Sequence, residues 1–145
     1  MKLDDIQIQW EADCRIDDNH LGECSSSTPN LHAKYLKYLI DSKLRLAKLK
    51  SDQNILRKNK FRYYRGEMSK AELEAAGWTQ WQGVKPLKNE MDEFLGGDED
   101  LNNLSLKVEY FEAIVFMLES IMTQIKARDF QIKNAITWKQ FLSGM

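Results

Sequence analysis

Between Leu101 and Ile125 the residues Leu101, Leu104, Val108, Phe111, Val115, Leu118, Met122 and Ile125 recur at alternating intervals of three and four. Unbroken a and d positions over four heptads require a helix that packs in the manner of a coiled coil. Tyr110, Ile114, Met117 and Ile121 form a second apolar stripe, offset from the first by about 110° at 3.6 residues per turn. A helix with two such stripes must touch two neighbours. The other segments are short or basic, so the pattern predicts that both stripes serve self-association into a closed ring or bundle. The competing expectation is that both are covered inside the chain itself. After Ala127-Arg128-Asp129, the residues Phe130, Ile136 and Phe141 predict a separate tail helix, ending at Ser143-Gly144 and docking on a neighbour or on the coiled coil.

The second constraint is a run from Asn30 to Tyr64 that contains no Gly or Pro. Leu31, Tyr35, Leu39, Leu46, Leu49 and Leu56 follow a rhythm of fours and threes, with Ser42 and Gln53 in the gaps. Lys34, Lys37, Arg45 and Lys48 cluster on the adjoining face. From His32 to Arg65, eleven Lys and Arg stand against Asp41 and Asp52, a charge of +9 in a chain whose net charge is −1. With so few acids nearby, i,i+4 pairing does not account for these cations. The run therefore predicts one long helix with a face for a polyanion. It ends in Arg57-Lys58-Asn59-Lys60-Phe61-Arg62-Tyr63-Tyr64-Arg65, where aromatic rings alternate with cations. Lys and Arg hold phosphates while flat rings stack on unpaired bases, which is how single strands are held without reading sequence. Arg57, Lys58, Lys60, Arg62 and Arg65 are the expected phosphate ligands. Tyr63 and Tyr64 either stack on bases or pack at the helix end.

The rest of the chain reads as short elements. Leu3, Ile6 and Trp10 give an amphipathic helix over residues 2–13. Asp17–Asn30 is polar and reads as a linker, after which Thr28-Pro29 supplies a helix start. Arg65-Gly66 ends the long helix, Ser69 and Glu72 form a capping box for a short helix, and Gly77 closes it. Trp78 and Trp81 are expected to pack rather than stack on bases. Pro86–Leu95 reads as a further helix, and Asp98-Glu99-Asp100 opens the next with acids at its positive end. The expected class is all-α, with residues 1–97 as a region that binds single-stranded nucleic acid and residues 98–145 as an oligomerisation region.

Several functions find no support. There is no phosphate-binding glycine loop and no zinc-protease or nucleophile-elbow signature. The acid pairs Asp17-Asp18 and Asp98/Asp100 could hold Mg²⁺ in a nuclease, but a linker and a helix start are ordinary places for acids. Cys14, His20 and Cys24 match no common zinc spacing, and His32 has no dyad partner close in sequence. The expectation is no enzyme, no metal and no cofactor. No apolar run approaches the roughly 20 residues a bilayer needs, and the acidic start Met1-Lys2-Leu3-Asp4-Asp5-Ile6 is unlike a signal peptide, so a cytoplasmic protein is expected. A helical adaptor that docks only protein partners through its basic face is the other class of function open to this sequence.

Three stretches carry a resemblance to a known family: Met1-Lys2-Leu3-Asp4-Asp5-Ile6-Gln7, Leu56–Tyr64 and Ile125–Lys133. The sequence resembles the UvsY family, the recombination mediators of T4-like bacteriophages, along most of its length. The resemblance implies single-stranded-DNA binding by a ring-like homo-oligomer of six or seven subunits in the cytoplasm of the bacterial host. It further implies contacts with a single-strand-binding protein and a RecA-like recombinase, whose loading the mediator assists. Lys58 and Lys60 match a Lys-x-Arg pair implicated in DNA binding, with Lys60 standing where the family has arginine; lysine keeps the charge and loses the planar fork. Gly66–Gly97 departs from the family, its Trp78–Trp81 segment being longer.

Overall fold

The computed structural model describes residues 1–144 and is all-α: α1 (Leu3–Asp13), α2 (Leu21–Ser26), α3 (Thr28–Tyr64), α4 (Lys70–Ala76), α5 (Met91–Gly96) and α6 (Glu99–Leu142). The described residues include no strand and no helix long and apolar enough to cross a membrane. They pack as two compact units. The first combines Met1–Leu44 with the described residues from Phe111 onward, and the second is Arg45–Tyr110. Both long helices contribute to both units.

In the first unit α6 supplies Ile114, Leu118, Ile121, Met122 and Ile125 to a core that includes Ile6 of α1 and Tyr35 of α3. Leu3, Trp10, Leu31, Leu39, Phe111 and Met117 pack around it. Both apolar stripes of the heptad segment are thus covered largely within the chain. Leu101, Val108, Ile114, Val115, Leu118, Ile121, Met122 and Ile125 are buried, Leu104, Phe111 and Met117 half-buried, and Tyr110 exposed. This corrects the expectation that the two stripes are free for a second copy. The physical reason is that α1 and the apolar side of α3 supply the partners that the sequence seemed to lack.

The expected break at Ala127-Arg128-Asp129 is also corrected, because α6 runs unbroken for 44 residues. No Gly or Pro interrupts it, and Arg128 has an internal task. Its side chain is buried and donates to the carbonyls of Cys14 (3.3 Å) and Arg15 (3.4 Å), acceptors that the end of α1 leaves without helical partners. Further along, Lys139 donates to the Asp18 carbonyl at 2.8 Å.

Residues 17–30 are not a plain linker, since α2 forms within them. The Thr28 hydroxyl donates back to the Cys24 carbonyl at 3.3 Å rather than accepting as a cap. The helix expected over 86–95 begins only at Met91, after a turn in which the Leu87 carbonyl accepts the amides of Glu90 (2.9 Å) and Met91 (3.1 Å).

The ends of α3 and α4 follow the expected glycine logic. At Gly66, φ is +72°, and the amides of Gly66 and Glu67 reach back to the carbonyls of Tyr63 (3.1 Å) and Arg62 (2.9 Å). Gly77, at φ +74°, repeats the arrangement with Glu74 and Leu73. Both are Schellman closures, which need a left-handed residue that side chains with a Cβ rarely tolerate. Ser69 and Glu72 form the capping box of α4, their side chains accepting from each other's amides at 3.2 and 3.3 Å.

Candidate nucleic-acid interface

The end of α3 lies in the second unit, and the structure divides its cations and rings between an interior and a surface. Tyr64 is buried with Met91, Leu95 and Leu101. Its hydroxyl donates to Asp98 Oδ2 at 2.7 Å, while Asp98 Oδ1 accepts the Leu101 amide at 2.9 Å and so caps α6. Tyr63 is half-buried and donates to the Thr79 carbonyl at 2.6 Å. Trp78, Trp81 and Phe94 complete an edge-to-face cluster with the two tyrosines, centroids 5.0–6.3 Å apart. Of the two places open to Tyr63 and Tyr64, the structure puts both in the packed helix end. The Trp78–Trp81 segment packs with them.

Lys60 belongs to the same interior. Its ammonium lies 3.2 Å from Asp98 Oδ2, 2.8 Å from Asp100 Oδ2 and 4.1 Å from the centre of the Trp78 ring. Its side chain is only 7% exposed, which corrects the expectation that Lys60 faces a phosphate. Burial would raise the Asp98 carboxyl, but the Tyr64 hydroxyl, the Leu101 amide and Lys60 together hold it below the ordinary carboxylate range. The same burial, with Asp98 beside it, pushes the Tyr64 phenol up.

The remaining cations of the segment lie outside, most of them partnered by carboxylates from other elements. Arg62 makes a two-pronged pair with Glu72 of α4, which draws the Glu72 carboxyl down to about 2. Arg57 pairs with Asp92 of α5 at 3.2 Å and Arg65 with Glu67 at 3.0 Å. Lys58 is exposed and makes no ion pair among the described residues. Arg57, Lys58, Phe61 and Arg65 line a groove of about 500 Å³ together with Lys88, and its floor includes the buried Met91 and Leu95.

Of the cations earlier on α3, Lys48 and Arg45 are exposed in the second unit, and Lys37 is exposed in the first. Lys34 is not a bare surface charge: it pairs with Asp13 of α1 at 2.6 Å, and the Tyr35 hydroxyl donates to the same oxygen at 2.8 Å. Burial opposes ionisation of Asp13, yet these two donors keep its carboxyl below the usual range.

Sequence reasoning missed Lys88 and Asp92, which reach the groove from a turn and from a short helix with no pattern of their own. It also missed that Asp98 and Asp100, legible only as acids at a helix start, are the counterions of Lys60. In the turn before α2, Asp17 Oδ2 lies 2.8 Å from His20 Nδ1, and this carboxylate raises the imidazole above its ordinary value. Cys14 and Cys24 do not join it in a ligand set: among the described residues no three His, Cys, Asp or Glu side chains gather as metal ligands.

The fold is similar to that of crystal structures of the bacteriophage T4 recombination mediator protein UvsY. In lattice type II the TM-score is 0.83 at 22% identity, covering 99% of this chain and 98% of that one. In lattice type IV it is 0.80 at 21% identity, over 97% and 98%, and in lattice type I 0.81 at 21%, over 94% and 98%. No curated protein matches the chain by sequence. The sequence model of the family described as recombination, repair and ssDNA binding protein UvsY matches residues 9–145, and the chain belongs to that family.

Proposed function

We propose that this protein binds single-stranded DNA through the basic rim of the second unit and acts as a recombination mediator. In that role it helps load a RecA-like recombinase onto strand covered by single-strand-binding protein, in the cytoplasm of a phage-infected bacterium. The observation that carries the reading is the juxtaposition of Arg57, Lys58, Arg65 and Lys88 along one groove, in a chain of the UvsY family. Arg62, Arg45 and Lys48 extend the positive surface of that unit, and Lys60, Tyr63 and Tyr64 hold the end of α3 in shape. No catalytic step is needed: the chemistry is charge neutralisation with release of counterions.

The protein acts as a ring-like homo-oligomer of six or seven subunits, so that several weak sites act on one strand by avidity. The heptad positions are largely occupied within the chain. The surfaces for assembly are therefore the apolar side chains that α6 leaves exposed, among them Phe116, Phe130, Trp138 and Phe141.

A salt titration of oligo-dT binding tests the reading. The logarithm of the association constant falls linearly with the logarithm of salt concentration, by about 0.7 for each phosphate neutralised. Lys58→Ala lowers that slope while light scattering shows an unchanged assembly. Binding that is absent at low salt, or indifferent to salt, overturns the reading. That result would favour an adaptor that docks only proteins, which the internal pairing of Arg57, Arg62 and Arg65 with carboxylates also suits.

A further inference from the structure

Phosphate contacts do not by themselves distinguish a single strand from a duplex, because both carry the same charged backbone. What a single strand adds is the open face of each unpaired base. A protein that prefers single strands without reading sequence therefore needs an accessible ring beside its cations. Three rings stand at the end of α3, and two of them are engaged elsewhere: Tyr64 is buried, and Tyr63 packs against Trp78 with its hydroxyl on Thr79. Phe61 is the ring that stays outside. It is 37% exposed, lines the groove, and has the Arg65 guanidinium 5.6 Å from its centre.

The surroundings of Phe61 suit a flat ligand with charge on either side. Met91 and Leu95 give the groove an apolar floor. Arg57, Lys58 and Arg65 come from α3, and Lys88 comes from the turn before α5, so the cations reach the groove from two elements. Asp92 is the one carboxylate on the lining among the described residues, and it is held at 3.2 Å by Arg57. An exposed aromatic in an acidic or neutral setting would mean little; here it lies among four cations.

We propose that Phe61 is the base-stacking platform of this groove, taking an unpaired base from each stretch of strand while Arg57, Lys58, Arg65 and Lys88 hold the flanking phosphates. Phe61 is thereby the residue that makes the interface prefer single strands over duplex. This rests on the strand-binding reading of the second unit and names the group that gives it selectivity.

The experiment compares the full chain with Phe61→Ala, Phe61→Leu and Phe61→Trp on an oligo-dT of about four to eight nucleotides, the range one small binding site covers. A duplex and an abasic strand of the same length serve as the other probes. Stacking on one base is worth roughly five- to hundredfold in affinity. Phe61→Ala and Phe61→Leu lose that factor on oligo-dT, leave duplex binding and the salt slope unchanged, and bind oligo-dT no better than the native chain binds the abasic strand. Phe61→Trp retains the native preference. Phe61→Leu keeps most of the packed volume, so a loss shared by both variants is a loss of the aromatic face and not of the fold. Native protein that binds oligo-dT with a steep salt slope, alongside Phe61→Ala and Phe61→Leu that bind it equally well, overturns the proposal and leaves the phosphate interface standing. Native protein that does not bind oligo-dT overturns both.

Discussion

The two units are held together by different chemistry. The first rests on aliphatic side chains: Ile6, Ile114, Leu118, Ile121 and Ile125 are each at most 2% exposed, around Tyr35. Its strength is mainly apolar area removed from water, which is non-directional, beside the directional ties of Arg128 to the Cys14 and Arg15 carbonyls and of Lys34 and Tyr35 to Asp13. The second has a smaller apolar core, in which Tyr64 donates to Asp98, a carboxylate of the buried cation Lys60, and Lys60 lies over the Trp78 ring. Its strength is directional, so one missing partner leaves a charge or hydroxyl stranded in a poorly solvated place. The difference teaches where a chain can carry a concentrated positive charge: in the unit whose carboxylates, Asp92, Asp98, Asp100, Glu72 and Glu67, hold Arg57, Lys60, Arg62 and Arg65 in fixed positions.

The comparison breaks most sharply at Asp98. Asp98→Ala removes a counterion of Lys60, strands the Tyr64 hydroxyl and uncaps α6, and is expected to cost about 3–5 kcal/mol in urea denaturation. Replacing the pair by Lys60→Met with Asp98→Asn removes the charge and keeps a cap and an acceptor, so it costs much less than Asp98→Ala alone. A single variant as stable as the native chain, or a double variant as damaged as the single one, contradicts the account of the second unit as a charge-centred core.

In the first unit the corresponding test is Leu118→Ala. Leu118 is fully buried in the aliphatic core, and its truncation leaves a cavity worth about 2–5 kcal/mol. That loss is expected to be the same at low and high salt, whereas the cost of Asp98→Ala depends on ionic conditions. If the Leu118→Ala penalty is negligible, the heptad residues are not what holds this unit, and the assembly role first read for them regains its force.

The elements were legible where a local rule governs them. The capping box at Ser69 and Glu72, the left-handed stops at Gly66 and Gly77 and the uninterrupted helix ending at Tyr64 all depend on residues within a turn or two of each other. The site was legible as a charge excess but not as a set of exposed groups. Counting acids along α3 gave a helix without counterions, yet Lys34, Arg57, Lys60 and Arg62 find theirs on α1, α5, at the start of α6 and on α4. Spacing tells which residues share a helical face; it does not tell which neighbour covers that face. The same gap explains the heptads, whose periodicity is indifferent to whether the partner is a second copy or another helix of the same chain.

The smallest expected effect is also the most discriminating, because it separates the two parts a carboxylate plays in the second unit. Glu72→Gln keeps a side chain that can accept the Ser69 amide, so the cap of α4 survives, but it discharges the partner of Arg62. At neutral pH the variant is only slightly less stable, since the pair is open to solvent and screened. The native Glu72 carboxyl titrates at about 2, below its unfolded value, so its contribution is fully present above the ordinary glutamate range and is lost as pH falls towards 2. The gap between native and variant stability therefore closes on acidification, and chemical denaturation at stepped pH reads it. Arg62, relieved of its partner, gains a phosphate instead: the salt dependence of oligo-dT binding steepens by up to about 0.7. A variant with native salt slope and native acid sensitivity would mean that Glu72 holds only the helix cap, and that the cations of this unit are not kept in reserve by their own carboxylates.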